Sequence, residues 1–214
     1  MKITWLGHAC FCVESEGYRI VLDPFKDVKG YADPRVSANE ILCSHDHFDH
    51  NNRGAVSLEK NMASPFTVET VATFHDDQGG RLRGKNTVHI LRAEGMTVVH
   101  LGDLGHQLTQ EQAAKLRRCD VLLLPVGGTY TVDPAGAKQV AEAVATRIIV
   151  PMHYRLGGLG FDKLASLDRF LSRFPAEQVH LLAENSFDPA AYQGVVVPTY
   201  HALNDPLRII CAEG

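Results

Sequence analysis

No stretch of this chain approaches the roughly 18 consecutive apolar residues that a membrane-crossing helix needs, so no membrane span is expected. The opening MKITWLG reads as a strand and lacks the basic and apolar regions of a secretory leader. Lys and Arg form no long run, and their total of 21 against 25 acids leaves a net charge of −4. That balance argues against broad attraction to nucleic acid or to an anionic membrane. There is no CxxC pair for a structural zinc, and five cysteines are an odd count that does not suit a secreted disulfide framework. Cys10 and Cys12 alternate on one expected strand, too close in sequence for an easy bridge. A reduced, cytoplasmic protein is expected. No repeat, low-complexity tract or linker breaks the chain. Its 214 residues are therefore read as one domain over residues 1–214, with enough apolar residues (45%) to bury a core without staples.

The pattern of elements changes along the chain. Ile3–Leu6, Cys10–Glu14, Arg19–Leu22 and Glu40–Cys43 read as strands, punctuated by Gly7, Gly17 and Asp23–Pro24. A short helix is expected near Arg53–Lys60. Strands follow at Phe66–Thr73, Thr87–Leu91 and Thr97–Leu101, with a Gly-rich polar stretch between the first two. Helices and strands then alternate. Thr109 can cap a helix to about Arg117, and Val121–Pro125 is an apolar strand. Asp133–Pro134 supplies an N-cap and a first-turn proline for a helix to about Thr146. Arg147–Val150 reads as a strand, Phe161–Phe174 as a helix by its apolar spacing, and Val179–Ala183, Val195–Val197 and Leu207–Cys211 as closing strands. Strands first and alternation later predict a mixed α/β (α+β) architecture with sheets covered by helices.

Histidine is what the chain has in unusual concentration. Three of its 11 histidines fall in His45-Asp46-His47-Phe48-Asp49-His50, directly after an expected strand. Imidazole nitrogen and carboxylate oxygen are the donors that divalent ions accept at open catalytic sites. His45 and His47, two residues apart, can converge on one ion, and Asp49 and His50 can turn to a second. So dense a set of bases and acids against a buried strand end is costly without a cation. Further donors stand just past other strands: His75, Asp103 in His100-Leu-Gly-Asp, and His153 in Pro151-Met-His-Tyr. Groups at the carboxyl ends of strands collect along one sheet edge.

The His45–His50 motif, with Gly102-Asp103 and His153, resembles the HxHxDH signature of the metallo-β-lactamase superfamily. Trp5-Leu-Gly-His-Ala, Phe74-His-Asp-Asp-Gln-Gly-Gly and Leu124-Pro-Val-Gly-Gly-Thr-Tyr resemble a small branch of metal-dependent hydrolases within it. That branch is related to the sugar-phosphate lactonases and the N-acyl-phosphatidylethanolamine phospholipases D. The resemblance runs from Met1 to about Tyr154. It implies a four-layer αββα sandwich with two metals at one rim. It also implies that His45, His47 and His75 hold the first ion, that Asp49, His50 and His153 hold the second, and that Asp103 bridges. Where many antibiotic-hydrolysing lactamases carry a cysteine, this chain has Asp103, which argues against that activity. The short His50–His75 interval and the lack of a second domain argue against a large RNA substrate.

Two divalent ions, zinc first and Mn2+, Fe2+ or Ni2+ as alternatives, would acidify a shared water. The expected reaction is attack of that metal-bridging hydroxide on a small ester, lactone or phosphodiester, with Asp49 orienting it. Asp46, Asp23 or Asp76 would fix imidazole tautomers. His8 and His106 are candidates for stabilising an oxyanion or protonating a leaving group. Tyr130 reads as an ordinary half-buried tyrosine, Arg81, Arg83 and Lys85 as a solvated hairpin loop, and His89, His100, His180 and His201 as structural. A small-molecule substrate is the expected partner, and a homo-oligomer stays open. The rival readings are a nuclease acting on nucleic acid, a di-iron redox protein and a non-catalytic metal binder.

Overall fold

The computed structural model describes residues 1–59 and 62–201. Its first three strands, β1 (Lys2–Gly7), β2 (Cys10–Ser15) and β3 (Tyr18–Leu22), form an antiparallel meander. Glu16 and Gly17, both at positive φ (50° and 79°), make the two-residue hairpin between β2 and β3. Such a turn matches the twist of the flanking strands. Beyond β3 come β4 (Val36–Ala38), β5 (Glu40–Leu42) and β6 (Val56–Leu58); β5 lies parallel to β3, and β4 pairs with β6.

A second meander is built from β7 (Thr67–Phe74), β8 (Lys85–Ala93) and β9 (Met96–His100). The remaining elements are α1 (Gln110–Leu116), β10 (Val121–Pro125), α2 (Pro134–Val144), β11 (Ile148–Met152), α3 (Asp168–Leu171), β12 (Val179–Leu181), β13 (Ser186–Phe187) and β14 (Gly194–Val197). β10 and β11 are buried at every position, as expected of central parallel strands covered on both faces. Thr109 and Gln112 cap α1 reciprocally, and Asp133 caps α2 through the Gly136 N–H with Pro134 in the first turn.

Among the described residues two large sheets result, ordered β13-β1-β2-β3-β5 and β12-β14-β11-β10-β9-β8-β7, with the β4-β6 pair as a small third. Trp5, Phe11 and Ile20 of the first share one continuous core with Val88, Ile90, Val98, Leu122 and Val150 of the second. Helix α2 packs on β10 and against α1 and α3. This is the expected α/β sandwich, with few helices. No helix among the described residues is long and apolar enough to cross a membrane.

Three expectations change. The helix near Arg53–Lys60 is a 3-10 turn at Arg53–Ala55 followed by β6, because Val56–Leu58 finds a parallel partner in β4. The helix over Phe161–Phe174 shrinks to α3. Ala165 N–H donates to Gly127 O, and Leu167 N–H to Arg155 O, so these donors run to neighbouring loops instead of up a helix. Strands β4, β6 and β13 were not legible at all, each being only two or three residues long. The expected strand Leu207–Cys211 lies outside the described residues.

Several strands end at one rim of the sandwich. His8 follows β1, Ser44 and His45 follow β5, His75 follows β7, Asp103 follows β9, and His153 follows β11.

Candidate metal centre

The rim is shaped by close backbone packing. His8 and His153 both adopt left-handed backbone (φ 51° and 54°), and His153 N–H reaches His8 O at 3.4 Å. A Cβ on Gly127 would stand 2.0 Å from His153 O, and one on Gly105 would stand 2.3 Å from Asp76 N, so only glycine lets these loops close over the ligands. Asn86 holds the Asp103 loop: its Oδ1 accepts from Asp103 N–H (2.9 Å), and its Nδ2 donates to Leu101 O (2.9 Å) and Thr73 Oγ1 (2.7 Å).

All seven donors named from the sequence meet here. His45 Nε2 faces His47 Nδ1 at 3.0 Å, and the ligand atoms of His45, His47 and His75 lie within 4.8 Å of one another. Asp103 sits between two groups. Its Oδ2 is 3.0 Å from His75 Nε2 and 3.3 Å from His153 Nε2, while its Oδ1 is 3.3 Å from His50 Nε2. Asp49 Oδ2 is 3.7 Å from His50 Nε2 and 3.4 Å from His8 Nε2. His8, Asp49, His50 and His153 form a second set within 4.8 Å, with every member buried. Donors about 2.1 Å from a common ion stand roughly 3 to 3.5 Å apart, which is the spacing seen here.

Outward-facing nitrogens are fixed by the scaffold. His75 Nδ1 donates to Tyr130 O (3.0 Å), and His50 Nδ1 donates to Asp23 Oδ2 (2.8 Å). His45 Nδ1 donates to Ser44 Oγ (2.9 Å), which in turn donates to Asp23 Oδ2 (2.6 Å). The inward atoms His50 Nε2 and Asp103 Oδ1 are buried, and among the described residues neither makes a hydrogen bond of good geometry, the two standing 3.3 Å apart. Unpaired buried acceptors of this kind are destabilising unless a cation meets them.

Titration follows the same logic. Burial opposes charge on Asp103 and Asp49, yet His153 and His50 hold Asp103 well below its ordinary value, and His8 and His50 lower Asp49. Burial would lower His50, but Asp103 and Asp23 raise it well above 6.5. His75 is raised by Asp103 despite its own desolvation. His45 is pushed down to about 3 by burial and by His50, and His8 to about 4 by burial and by His153. The cluster therefore contains ionised acids, with His50 and His75 favoured in the protonated form and His8 and His45 in the neutral one.

Two residues expected to act on the substrate are placed so that they do not face it. His106 Nε2 accepts from Phe74 N–H (3.1 Å) and its Nδ1 donates to Gln107 O (2.8 Å), so both nitrogens are committed to backbone and the leaving-group role falls away. His8 is fully buried behind Asp49 and lines no part of the open pocket, which removes it as a proton donor to substrate. Of the three proposed orienting acids, Asp23 does the work. Asp46 accepts from Asn51, and Asp76 binds four backbone N–H groups of its own loop.

A pocket of about 550 Å3 opens onto the donors. Phe48, 58% exposed, meets Phe161 edge-on at 6.3 Å, and Tyr130 meets Phe161 at 6.4 Å. Arg83 stacks 5.6 Å from the centre of the Tyr130 ring and donates to Thr129 O (3.1 Å). It also borders a second opening beside His45 and His47, shared with Lys85. Neither Arg83 nor Lys85 has an acidic side chain within 4 Å among the described residues. Arg83 and the half-buried Tyr130 both border the pocket, whereas Arg81 donates to Gln78 O in its own loop. The sequence signal missed was Phe48, an apolar residue inside a polar loop.

Known proteins resemble this chain in sequence and fold. The beta-lactamase superfamily domain matches residues 2–153. A UPF0173 metal-dependent hydrolase of Archaeoglobus fulgidus is 31% identical over 193 residues, covering 72% of this chain and 83% of that protein. A crystal structure from Thermotoga maritima, of a protein assigned as a Zn-dependent hydrolase of the metallo-beta-lactamase superfamily, is 37% identical. It covers 94% of this chain and 99% of that one at a TM-score of 0.73. A protein of Parabacteroides distasonis assigned as a metal-dependent hydrolase shares the fold at 18% identity and a TM-score of 0.66, with 93% of each chain covered.

Proposed function

This chain belongs to the metallo-β-lactamase superfamily and is a metal-dependent hydrolase, and from that premise we propose that it cleaves a small ester, lactone or phosphodiester whose substrate carries both an anionic group and a flat apolar group. The convergence of seven donors with unpartnered buried atoms aimed inward is the observation that carries the reading. Two divalent ions fit this donor set. His45, His47 and His75 would hold one, Asp49, His50 and His153 the other, with Asp103 shared. An all-nitrogen first set favours zinc. When bound, such ions supply an acidified water at neutral pH and polarise the substrate oxygen under attack.

The chain's own residues do the rest. Asp49, held ionised by His8 and His50, borders the pocket and is placed to orient the attacking water and accept its proton. Asp23 and the Tyr130 carbonyl keep His50 and His75 in the tautomers that turn Nε2 inward. Phe48, Tyr130 and Phe161 offer a flat apolar wall, and Arg83 has donors left over for a carboxylate or phosphate. What supports a small molecule over nucleic acid is the pocket's size and this aromatic lining.

The test is a panel of aryl esters, lactones and phosphodiesters, each with and without a carboxylate, assayed on the purified chain before and after chelation. Turnover should vanish with the chelator and return with zinc. Arg83→Ala should raise KM about tenfold for the anionic members only, the loss of one charge-assisted contact. Full turnover by the metal-free protein, or by Asp103→Ala, would overturn the reading.

A further inference from the structure

His8 is the residue that the hydrolytic reading leaves over. Its ring is fully buried, and among the described residues neither Nδ1 nor Nε2 makes a hydrogen bond of good geometry. A neutral imidazole left so is destabilising, and the left-handed backbone at φ 51° adds strain. The placement is nonetheless enforced. His8 O accepts from Trp5 Nε1 (3.1 Å) and from His153 N–H, so the backbone is pinned from two sides. On three flanks the ring meets Phe25, Tyr31 and Phe161, none of which satisfies either ring nitrogen. Its remaining neighbours are second-ion donors: the His153 ring at 4.3 Å, the His50 ring at 5.5 Å, and Asp49 Oδ2 at 3.4 Å from Nε2.

We infer that His8 is itself a ligand of the second ion, joining Asp49, His50, His153 and the shared Asp103 through Nε2. The 3.4 Å separation from Asp49 Oδ2 is long for a hydrogen bond and matches two donors of one coordination shell. A fifth protein donor would fill a position on this ion that a water or substrate would otherwise take. The second ion would then be held as a firmly bound positioning charge, and the first, with three histidines and the shared carboxylate, would keep the open position facing the pocket. This inference rests on the two-ion site proposed above.

The wild-type full-length chain loaded with 113Cd, observed by heteronuclear NMR, provides the direct test. Metal coupling is expected in six histidine rings, those of His8, His45, His47, His50, His75 and His153. Coupling in the other five without His8 would overturn the inference and leave the two-ion site standing, whereas no coupling in any ring would overturn both. His8→Ala and the bulkier His8→Gln, checked for folding by circular dichroism, should each lose at least tenfold in affinity for one ion of the pair in chelator competition. They should also alter the electronic spectrum of the Co2+-loaded protein. Wild-type affinity and an unchanged Co2+ spectrum in either folded variant would refute the assignment.

Discussion

Asp23→Asn isolates the buried carboxylate behind the metal site without changing its shape. Asp23 Oδ1 accepts from Ser44 N–H at 2.6 Å, while Oδ2 accepts from Ser44 Oγ at 2.6 Å and from His50 Nδ1 at 2.8 Å. An asparagine must keep its oxygen on the fixed Ser44 N–H, which turns its NH2 toward the other two donors. The Ser44 hydroxyl can rotate to accept. His50 can do so only by moving its proton to Nε2, the atom that faces Asp103 and Asp49 and would bind the ion. Replacing such an orienting partner typically lowers metal affinity about 10- to 100-fold, equivalent to roughly 1.4–2.7 kcal/mol. The fold should suffer too. Burial opposes charge on Asp23, yet His100, His50 and Ser44 hold its pKa at about 2, below the ordinary 3.8. A depressed acid stabilises the native state above its unfolded pKa, and that contribution fades as pH falls through the folded value. Removing it should cost the metal-free protein about 2 kcal/mol at pH 7 and little near pH 2. Chelator competition and urea denaturation at several pH values measure the two effects separately. Wild-type metal affinity in a folded Asp23→Asn protein would refute the tautomer argument.

Other consequences are equally direct. Gly105→Ala places a Cβ 2.3–2.4 Å from the backbone of Asp76 and His75, where nothing can yield cheaply, so it should lower stability by about 1–3 kcal/mol in urea and reduce bound metal. His106→Ala removes two side-chain hydrogen bonds to backbone, at Phe74 N–H and Gln107 O, and no group that faces the pocket. It should lower stability by about 1 kcal/mol and change kcat less than about threefold, and a hundredfold loss of kcat would return it to the chemistry. His50 and His75 have raised pKa values, so near neutrality the metal-free protein holds protons that a metal must displace. Metal affinity should therefore rise with pH from below 6.5 upward. Calorimetry in buffers of different ionisation enthalpy should record proton release on loading at pH 7, and zero release would contradict those shifts.

The donor residues were visible in the chain because chemistry constrained their identity. Six residues from His45 to His50 hold so much ligating capacity that the segment is costly without a cation, and His75, Asp103 and His153 stand just past strands that alternation and apolar runs disclose. Caps were equally legible, since Thr109 and Asp133 act on residues three positions away. Those signals are local, or repeat with the period of a strand or helix. The misread elements depended on distant partners. Val56–Leu58 became a strand because β4 was there to receive it, and residues 165–167 left helical geometry because Gly127 and Arg155 took their hydrogen bonds. His8 and His106 looked alike in sequence, each a histidine in a glycine-flanked loop. The tertiary structure alone separated them, giving one two backbone partners and the other a buried place among second-ion donors with none. The sequence by itself thus determined which chemistry this protein can hold, because ligand type is a property of a residue. The tertiary structure decided which residues take part, because coordination and hydrogen bonding depend on distances between segments that sequence order does not encode.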